Sequence, residues 1–328
     1  MLRGIAGETR AVLPDILSQI SSFDATISSF HLLKDLARLD PKDCPGFQLP
    51  ESDTEAGRKG CRIKILDQDT FDAALELQPD TTVESVLPQP TPAPILEFKD
   101  GEYQEPNDTK PAETSAEAPA PNTASVKKPV ALLNLASEKH PGGGWLNGAM
   151  AQEEALCYRS SLYLTLHGSY YPLPLLSALY SPNVVLIRDA IGRGHGLLHP
   201  TIPAASLPVT SVITVAALRR PEKNEDNKFA KPPDREATKS KMRLVLRVAA
   251  HQGHTKIVLG AMGCGAFANP PGDVADCFLE VLQEDEFAGG WWEDVVFAVL
   301  DNAREGRGGK DGSGNFGIFH RALDGVIV

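Results

Sequence analysis

Val130-Ala131-Leu132-Leu133-Asn134-Leu135 is a largely apolar run of strand length, and it leads through Ala136-Ser137-Glu138-Lys139-His140-Pro141 into Gly142-Gly143-Gly144. A buried strand that empties into consecutive glycines lets the backbone approach a ligand closely and aim its N–H groups. On its own, such a triple is just as well a flexible turn. After a short spacer comes Gln152-Glu153-Glu154, which opens a helical pattern predicted over Ala151 to Leu164. Carboxylates in a first helical turn suit the helix dipole, each contributing about 0.3–1 kcal/mol. That structural explanation leaves the adjacent glycine loop unaccounted for. Two neighbouring carboxylates also repel each other, which raises one pKa and keeps a proton available for general acid work.

Downstream, apolar strand-length runs alternate with helical patterns. Strands are predicted at Asn183 to Ile187, Val209 to Ala216, Thr255 to Leu259 and Val295 to Leu300, with helices at Lys241 to His251 and Val274 to Leu282. This alternation predicts an α/β fold whose sheet is covered on both faces. Ligands of such sheets sit beyond the carboxyl ends of the strands. A second glycine-rich loop, Gly260 to Pro271, stands at such an end and includes Gly263-Cys264-Gly265-Ala266-Phe267. Its N–H groups are suited to wrap an anion, and Phe267 is either an ordinary core residue or a platform for a ribose or base. Cys264 has no obvious histidine partner, which favours a buried thiol over a nucleophile.

Upstream, apolar residues at helical spacing predict two helices within Gly4 to Ala37, broken around Ser21 to Thr26, with Leu32, Leu33 and Leu36 in the second. Arg62 to Leu66 alternates like a strand, and Asp69 is placed to cap a short helix. From about residue 77 to 128 Pro, Thr, Glu, Ala and Ser dominate; this segment is expected to be a disordered insert. The polar stretch Pro221 to Ser240 reads as a surface loop. The organisation expected is therefore 1–76 packing on the core, 77–128 as the insert and 129–328 as the core.

A formal net charge of -11 argues against a sequence-blind grip on nucleic acid. Five widely spaced cysteines without a CxxC pair indicate neither a disulfide framework nor a zinc knuckle. His251-x-x-His254 lacks a third ligand in sequence, so no metal is expected. No signal peptide and no run of about 18 apolar residues is visible, so an intracellular chain, cytoplasmic or nuclear, is expected without a membrane partner.

The two-part pattern resembles the microbial-type poly(ADP-ribose) glycohydrolase family, a branch of the macrodomain fold. Asn134 to Ser137, Pro141-Gly142-Gly143-Gly144 and Ala151-Gln152-Glu153-Glu154 match its signature, and Gly260 to Pro271 matches its second loop. The long insert departs from the family; nothing in the signature does. The resemblance implies a macrodomain-like mixed sheet sandwiched by helices, with an N-terminal helical extension. It implies Glu154 as the catalytic glutamate, with Glu153 holding the terminal ribose hydroxyls. Gly142, Gly143 and Gly144 would face the diphosphate, as would Gly263, Cys264, Gly265 and Ala266, with Phe267 positioning the ribose. Asn134, Ser137 and Gln152 would complete the substrate site, and Leu300 to Asn302 with Asn315-Phe316 are candidates for adenine. The substrate implied is poly(ADP-ribose) or ADP-ribosylated protein, without a cofactor. A non-catalytic ADP-ribose reader, and a hydrolase of mono-ADP-ribosylated protein or nucleic acid, are the alternatives.

Overall fold

In the computed structural model the described residues are 1–20, 23–87 and 128–328, with the backbone of two short strands at 97–99 and 102–104. The helices are α1 (Leu2–Ser18), α2 (Thr70–Leu77), α3 (Val83–Val86), α4 (Gln152–Arg159), α5 (Pro232–His251), α6 (Pro271–Leu282) and α7 (Asn315–Leu323). The strands are β1 (Ser29–Leu32), β2 (Lys64–Leu66), β3 (Glu97–Lys99), β4 (Glu102–Gln104), β5 (Ala131–Ala136), β6 (Ser177–Val185), β7 (Val209–Ala216), β8 (Lys256–Leu259) and β9 (Asp294–Ala298). Seven strands form one sheet in the order β1-β6-β7-β5-β8-β9-β2, while β3 and β4 pair only with each other. The run from β7 through β2 is parallel, and β1 and β6 are antiparallel, so the sheet is mixed.

Strand side chains alternate between faces, and here both faces are dry. Leu133, Ile213, Ile257 and Val295 point into a core shared with Val245, Phe278 and Phe319 of α5, α6 and α7. Their neighbours Leu132, Val212, Val258 and Val296 point the other way, into a core with Ala6, Phe71 and Leu156 of α1, α2 and α4. Burial on both sides is why these strands read as continuous apolar runs. The first 76 residues are part of this architecture, since they supply both edge strands, β1 and β2.

Asp69 caps α2 as expected, accepting from the N–H groups of Phe71 and Asp72. The expected second N-terminal helix is absent. Ser29–Leu32 pairs with β6 instead, and Leu33–Asp35 makes one 3-10 turn. Leu32, Leu33 and Leu36 have helical spacing, but sheet pairing decides the conformation. The helix expected to reach Leu164 stops at Arg159; Ser160 bridges to Leu186, and a separate 3-10 turn follows at Leu162–Leu164. The expected surface loop Pro221 to Ser240 ends early, because Pro232-Pro233 occupies the start of α5, where proline's missing N–H costs nothing. The expected disordered insert does not begin at 77. Residues 78–87 are placed, with a Thr82–Ser85 capping box and a fully buried Val83. Apart from β3 and β4, residues 88–127 lie outside the described residues. Among the described residues no helix is long and apolar enough to cross a membrane.

A buried ion network that the sequence did not announce ties the end of α4 to the rest. The Arg159 guanidinium is buried, donates to Asp69 and to Asp72 at 2.8 Å, and lies 5.4 Å above the Phe71 ring. Truncating one partner of a buried ion pair strands the other, a cost of about 3–5 kcal/mol. Arg159→Ala should therefore lose stability on that scale in urea denaturation, whereas a loss below about 1 kcal/mol would mean that water reaches the two aspartates.

Candidate functional site

The loops that follow β5, β7 and β8 meet at the carboxyl end of the sheet around a cleft of about 630 Å³, open mouth included. Ser137, Gln152, Glu153 and Glu154 line it from the first loop and α4; Gly263, Gly265, Ala266 and Phe267 line it from the second loop. Its position follows from topology, because all three strands run parallel and deliver their loops to one end.

The site begins with how α4 is fixed. β5 pairs with β8 only at Ala131 and Leu132, which leaves backbone groups further along that strand edge without a partner strand. Gln152 fills the gap: its Oε1 accepts from Leu135 N–H at 2.8 Å, and its Nε2 donates to Leu133 O at 2.7 Å and to Thr70 Oγ1 at 3.2 Å. The amide side chain thus satisfies main-chain groups that would otherwise be buried unpaired. It also locks the first turn of α4 against β5, setting where Glu153 and Glu154 point.

Glu153 is 3% exposed. Its Oε2 accepts from Ser137 N–H at 2.7 Å, and its Oε1 lies 3.5 Å from Asn134 Nδ2. Asn134 is fully buried and also donates to Thr214 Oγ1 at 3.2 Å from the neighbouring strand β7. Glu154 reaches instead to the glycine loop, where its Oε1 accepts from Gly144 N–H at 2.8 Å. Burial pushes the Glu153 carboxyl up to about 8, and the Glu154 charge adds to the rise; the bonds from Ser137 and Asn134 oppose it without winning. At neutral pH the pair therefore holds a proton.

The glycines are explained by these carboxylates. A Cβ on Gly143 would stand 2.4 Å from Glu154 Oε1 and 3.0 Å from Glu153 Oε2, and its φ of +59° already disfavours a side chain. A Cβ on Gly142 would meet the Trp145 ring at 2.7 Å. The Gly143 N–H is taken by His140 O and the Gly144 N–H by Glu154. The first loop was expected to offer these N–H groups to a ligand; in this structure they are committed, and the glycines let two carboxylates come close. Tyr158 Oη, 2.8 Å from both Trp145 O and Ala149 O, ties the rest of the loop back to α4.

The second loop differs. Among the described residues, the N–H groups of Gly265, Ala266 and Phe267 have no acceptor. They lie in sequence on one lip of the cleft, an arrangement suited to an anion. Asn269 holds the loop in shape: its Nδ2 donates to Leu218 O at 2.6 Å and reaches Gly263 O at 3.2 Å. Gly263 is glycine for space, since its Cβ would stand 2.4 Å from Asn269 Nδ2 and 2.6 Å from Ala217 Cβ.

Three sequence expectations change in detail. Asn134 is buried beneath Glu153 and does not line the cleft, so it supports the carboxylate where a ligand contact was expected. Gln152 borders the cleft, but its amide is bound to β5 and Thr70. Cys264 turns its side chain into the core, its N–H is bound to Ala261 O, and burial pushes its thiol up, so it offers neither a nucleophile nor a free donor. Of the adenine candidates, Asn315 Nδ2 lies 3.5 Å from Cys264 O, which brings the start of α7 beside the second loop, and Leu300 is exposed. His251 and His254 point apart, to Ala37 O and to Tyr180 Oη with Pro129 O. Thr70, Tyr158 and Thr214 carried no sequence signal, because each acts through a tertiary contact. Asn269 alone had a hint, as a polar residue inside a glycine-rich loop.

A family model described as microbial-type PARG, catalytic domain, matches residues 47–189, which include the first loop and Gln152-Glu153-Glu154. No curated protein matches the sequence. The structure is similar to that of poly(ADP-ribose) glycohydrolase from Thermomonospora curvata, with 25% identity, 98% of each chain covered and a TM-score of 0.62. It resembles equally the structure of that enzyme bound to the inhibitor ADP-HPD. Poly(ADP-ribose) glycohydrolase from Deinococcus radiodurans in complex with ADP-ribose matches at 26% identity over 95% of this chain and 98% of that one, with a TM-score of 0.58.

The buried proton has a thermodynamic consequence. The free carboxyl releases its proton near 4.5, whereas in the fold Glu153 keeps it to about 8. Between those values the folded state binds the extra proton, so this contribution to stability is full below about 4.5 and is lost as pH rises through about 8. The urea midpoint should decline from about pH 5 to pH 8, and Glu153→Gln should flatten that decline. An unchanged slope in the variant would place the proton elsewhere.

Proposed function

We propose that the chain is a microbial-type poly(ADP-ribose) glycohydrolase, as the family model matched over residues 47–189 and the similar solved structures support, and that it hydrolyses the ribose–ribose O-glycosidic bond of poly(ADP-ribose), releasing ADP-ribose. The observation that carries this reading is the pair of buried carboxylates meeting over Gly143 at the edge of a cleft, opposite a loop with unoccupied N–H groups. A protein that only held ADP-ribose would have no use for a proton stored in the site.

Glu154, the more exposed member of the pair, delivers the proton to the oxygen leaving C1″ of the ribose. Glu153 keeps the site's proton at neutral pH, supplies it to Glu154 and holds the ribose hydroxyls. As the C1″–O bond breaks, the sugar acquires oxocarbenium character, which the adjacent carboxylates stabilise. Glu154, then unprotonated, draws a proton from water as it attacks C1″, which restores the acid. One residue thus serves in turn as acid and base. The diphosphate rests on Gly265, Ala266 and Phe267, whose N–H groups are free, while the Phe267 ring limits where the ribose lies. Ser137, in contact with Glu153 through its N–H, stands at the ribose end. Polymer or an ADP-ribosylated protein is the substrate whose leaving group lies beyond Glu154.

Glu154→Gln keeps size and removes the proton transfer, a step commonly contributing about 10²–10⁴-fold. Release of ADP-ribose from the polymer should fall by that factor while ADP-ribose still binds. A variant at near wild-type rate would refute the assignment. The proton in the resting site is held by Glu153 and must be relayed to Glu154, so kcat/KM should fall as pH rises through about 8. A rate flat to pH 9.5 would show that the proton held by Glu153 has no part in the reaction.

A further inference from the structure

Arg219 connects the two loops that border the cleft, through Glu138 on one and Phe267 on the other. It follows β7, and the backbone on either side of it is pinned to the second loop: Leu218 O accepts from Asn269 Nδ2 at 2.6 Å, and Arg220 N–H donates to Phe267 O at 2.8 Å. Arg220 has a φ of +50°, so this turn is a constrained one. The Arg219 guanidinium lies 5.5 Å from the Phe267 ring centroid, within cation–π range. On its other side its Nη1 is 3.6 Å from Glu138 Oε1. Glu138 belongs to the first loop, next to Ser137, whose N–H bonds Glu153, and its own carbonyl accepts from Leu173 N–H. One ion pair therefore links the loop that carries the carboxylate machinery to the loop with the free N–H groups.

The pair is poorly made. A charge-assisted N–H···O bond settles near 2.7–2.9 Å, whereas this contact is 3.6 Å, and Glu138 Oε2 is buried with no partner. A carboxylate has lost water without full compensation, and a half-exposed cation beside an aromatic lip is incompletely matched. The unpaired N–H groups of Gly265, Ala266 and Phe267 adjoin the same ring. An anion held by them would offer Arg219 a better partner and would repel Glu138.

We propose that Arg219 recognises the diphosphate of the substrate, and that Glu138 is its resting partner, displaced when the diphosphate arrives. This rests on the reading that the cleft takes ADP-ribose. Glu138 then acts as a competitor that lowers affinity for weakly charged ligands and is overcome by a diphosphate. It is a specificity device, distinct from the acid chemistry of Glu153 and Glu154.

Calorimetric titration of ADP-ribose into wild type, Arg219→Gln, Glu138→Gln and the double variant tests this, with melting curves verifying that each folds. Arg219→Gln should weaken binding by about tenfold or more, as loss of a charge-assisted contact does. Glu138→Gln should tighten binding by about threefold with Arg219 present, and should give no gain in the Arg219→Gln background. Arg219→Lys, which keeps charge without the fork, should fall between. Wild type that binds no ADP-ribose overturns this proposal together with the function it rests on. Wild type that binds, with Arg219→Gln within about twofold of it, overturns the recognition role alone; so does an equal Glu138→Gln gain in both backgrounds.

Discussion

Two carboxylates pressed against the backbone of a glycine loop are the constraint on which the rest depends. Glu154 accepts from Gly144 N–H, Glu153 accepts from Ser137 N–H, and both meet at the point where a Gly143 side chain would begin. Any side chain at Gly143 would push them apart. The fold supplies a reason for the pair to remain there, because Gln152 is bonded into the edge of β5 and cannot rotate without leaving main-chain groups unpaired. Strand, helix start and loop are thus one mechanical unit, with Tyr158 closing it from behind.

Electrostatics follow from that packing. Bringing a carboxylate to 3% exposure costs more than the hydrogen bonds donated to it return, and the balance appears as a proton retained to about pH 8. The cleft is asymmetric as a result. One wall holds carboxylates whose neighbouring N–H groups are occupied, and the other holds N–H groups with nothing to bind. An anionic ligand with a sugar at one end has only one sensible orientation in such a cleft, with its charge on the second loop and its sugar at the glutamates. On the proposed reading, the consequence is directional binding before any chemistry.

The sheet was legible in the sequence because both its faces are buried. Val209 to Ala216 reads as a strand and is one, to the residue, since every position in it is buried. Ser29–Leu32 was not legible: an edge strand that is half-buried throughout carries no clear period, and its apolar neighbours imitate a helix. The glycine loop and the Gln-Glu-Glu element were found where the sequence put them, but the reason for the glycines was not. Sequence shows that a side chain is missing; it does not show whether the space goes to a ligand or to a glutamate. In the same way Gln152 and Asn134 read as ligand contacts because they neighbour the reactive pair, and only the sheet register reveals that their amides face β5, Thr70, Thr214 and Glu153. Arg219 had no sequence signal at all, since its partners lie 81 and 48 positions away, at Glu138 and Phe267.

A crystal structure of the protein with ADP-ribose is the most direct test of the central claim, that the glutamates take the sugar and the second loop takes the charge. The account predicts the terminal ribose against Glu153 and Glu154, with C1″ facing the Glu154 carboxylate. Diphosphate oxygens should lie within hydrogen-bond distance of the N–H groups of Gly265, Ala266 and Phe267. A ligand with its diphosphate at the glutamates, or with its terminal ribose out of reach of Glu154, would contradict it.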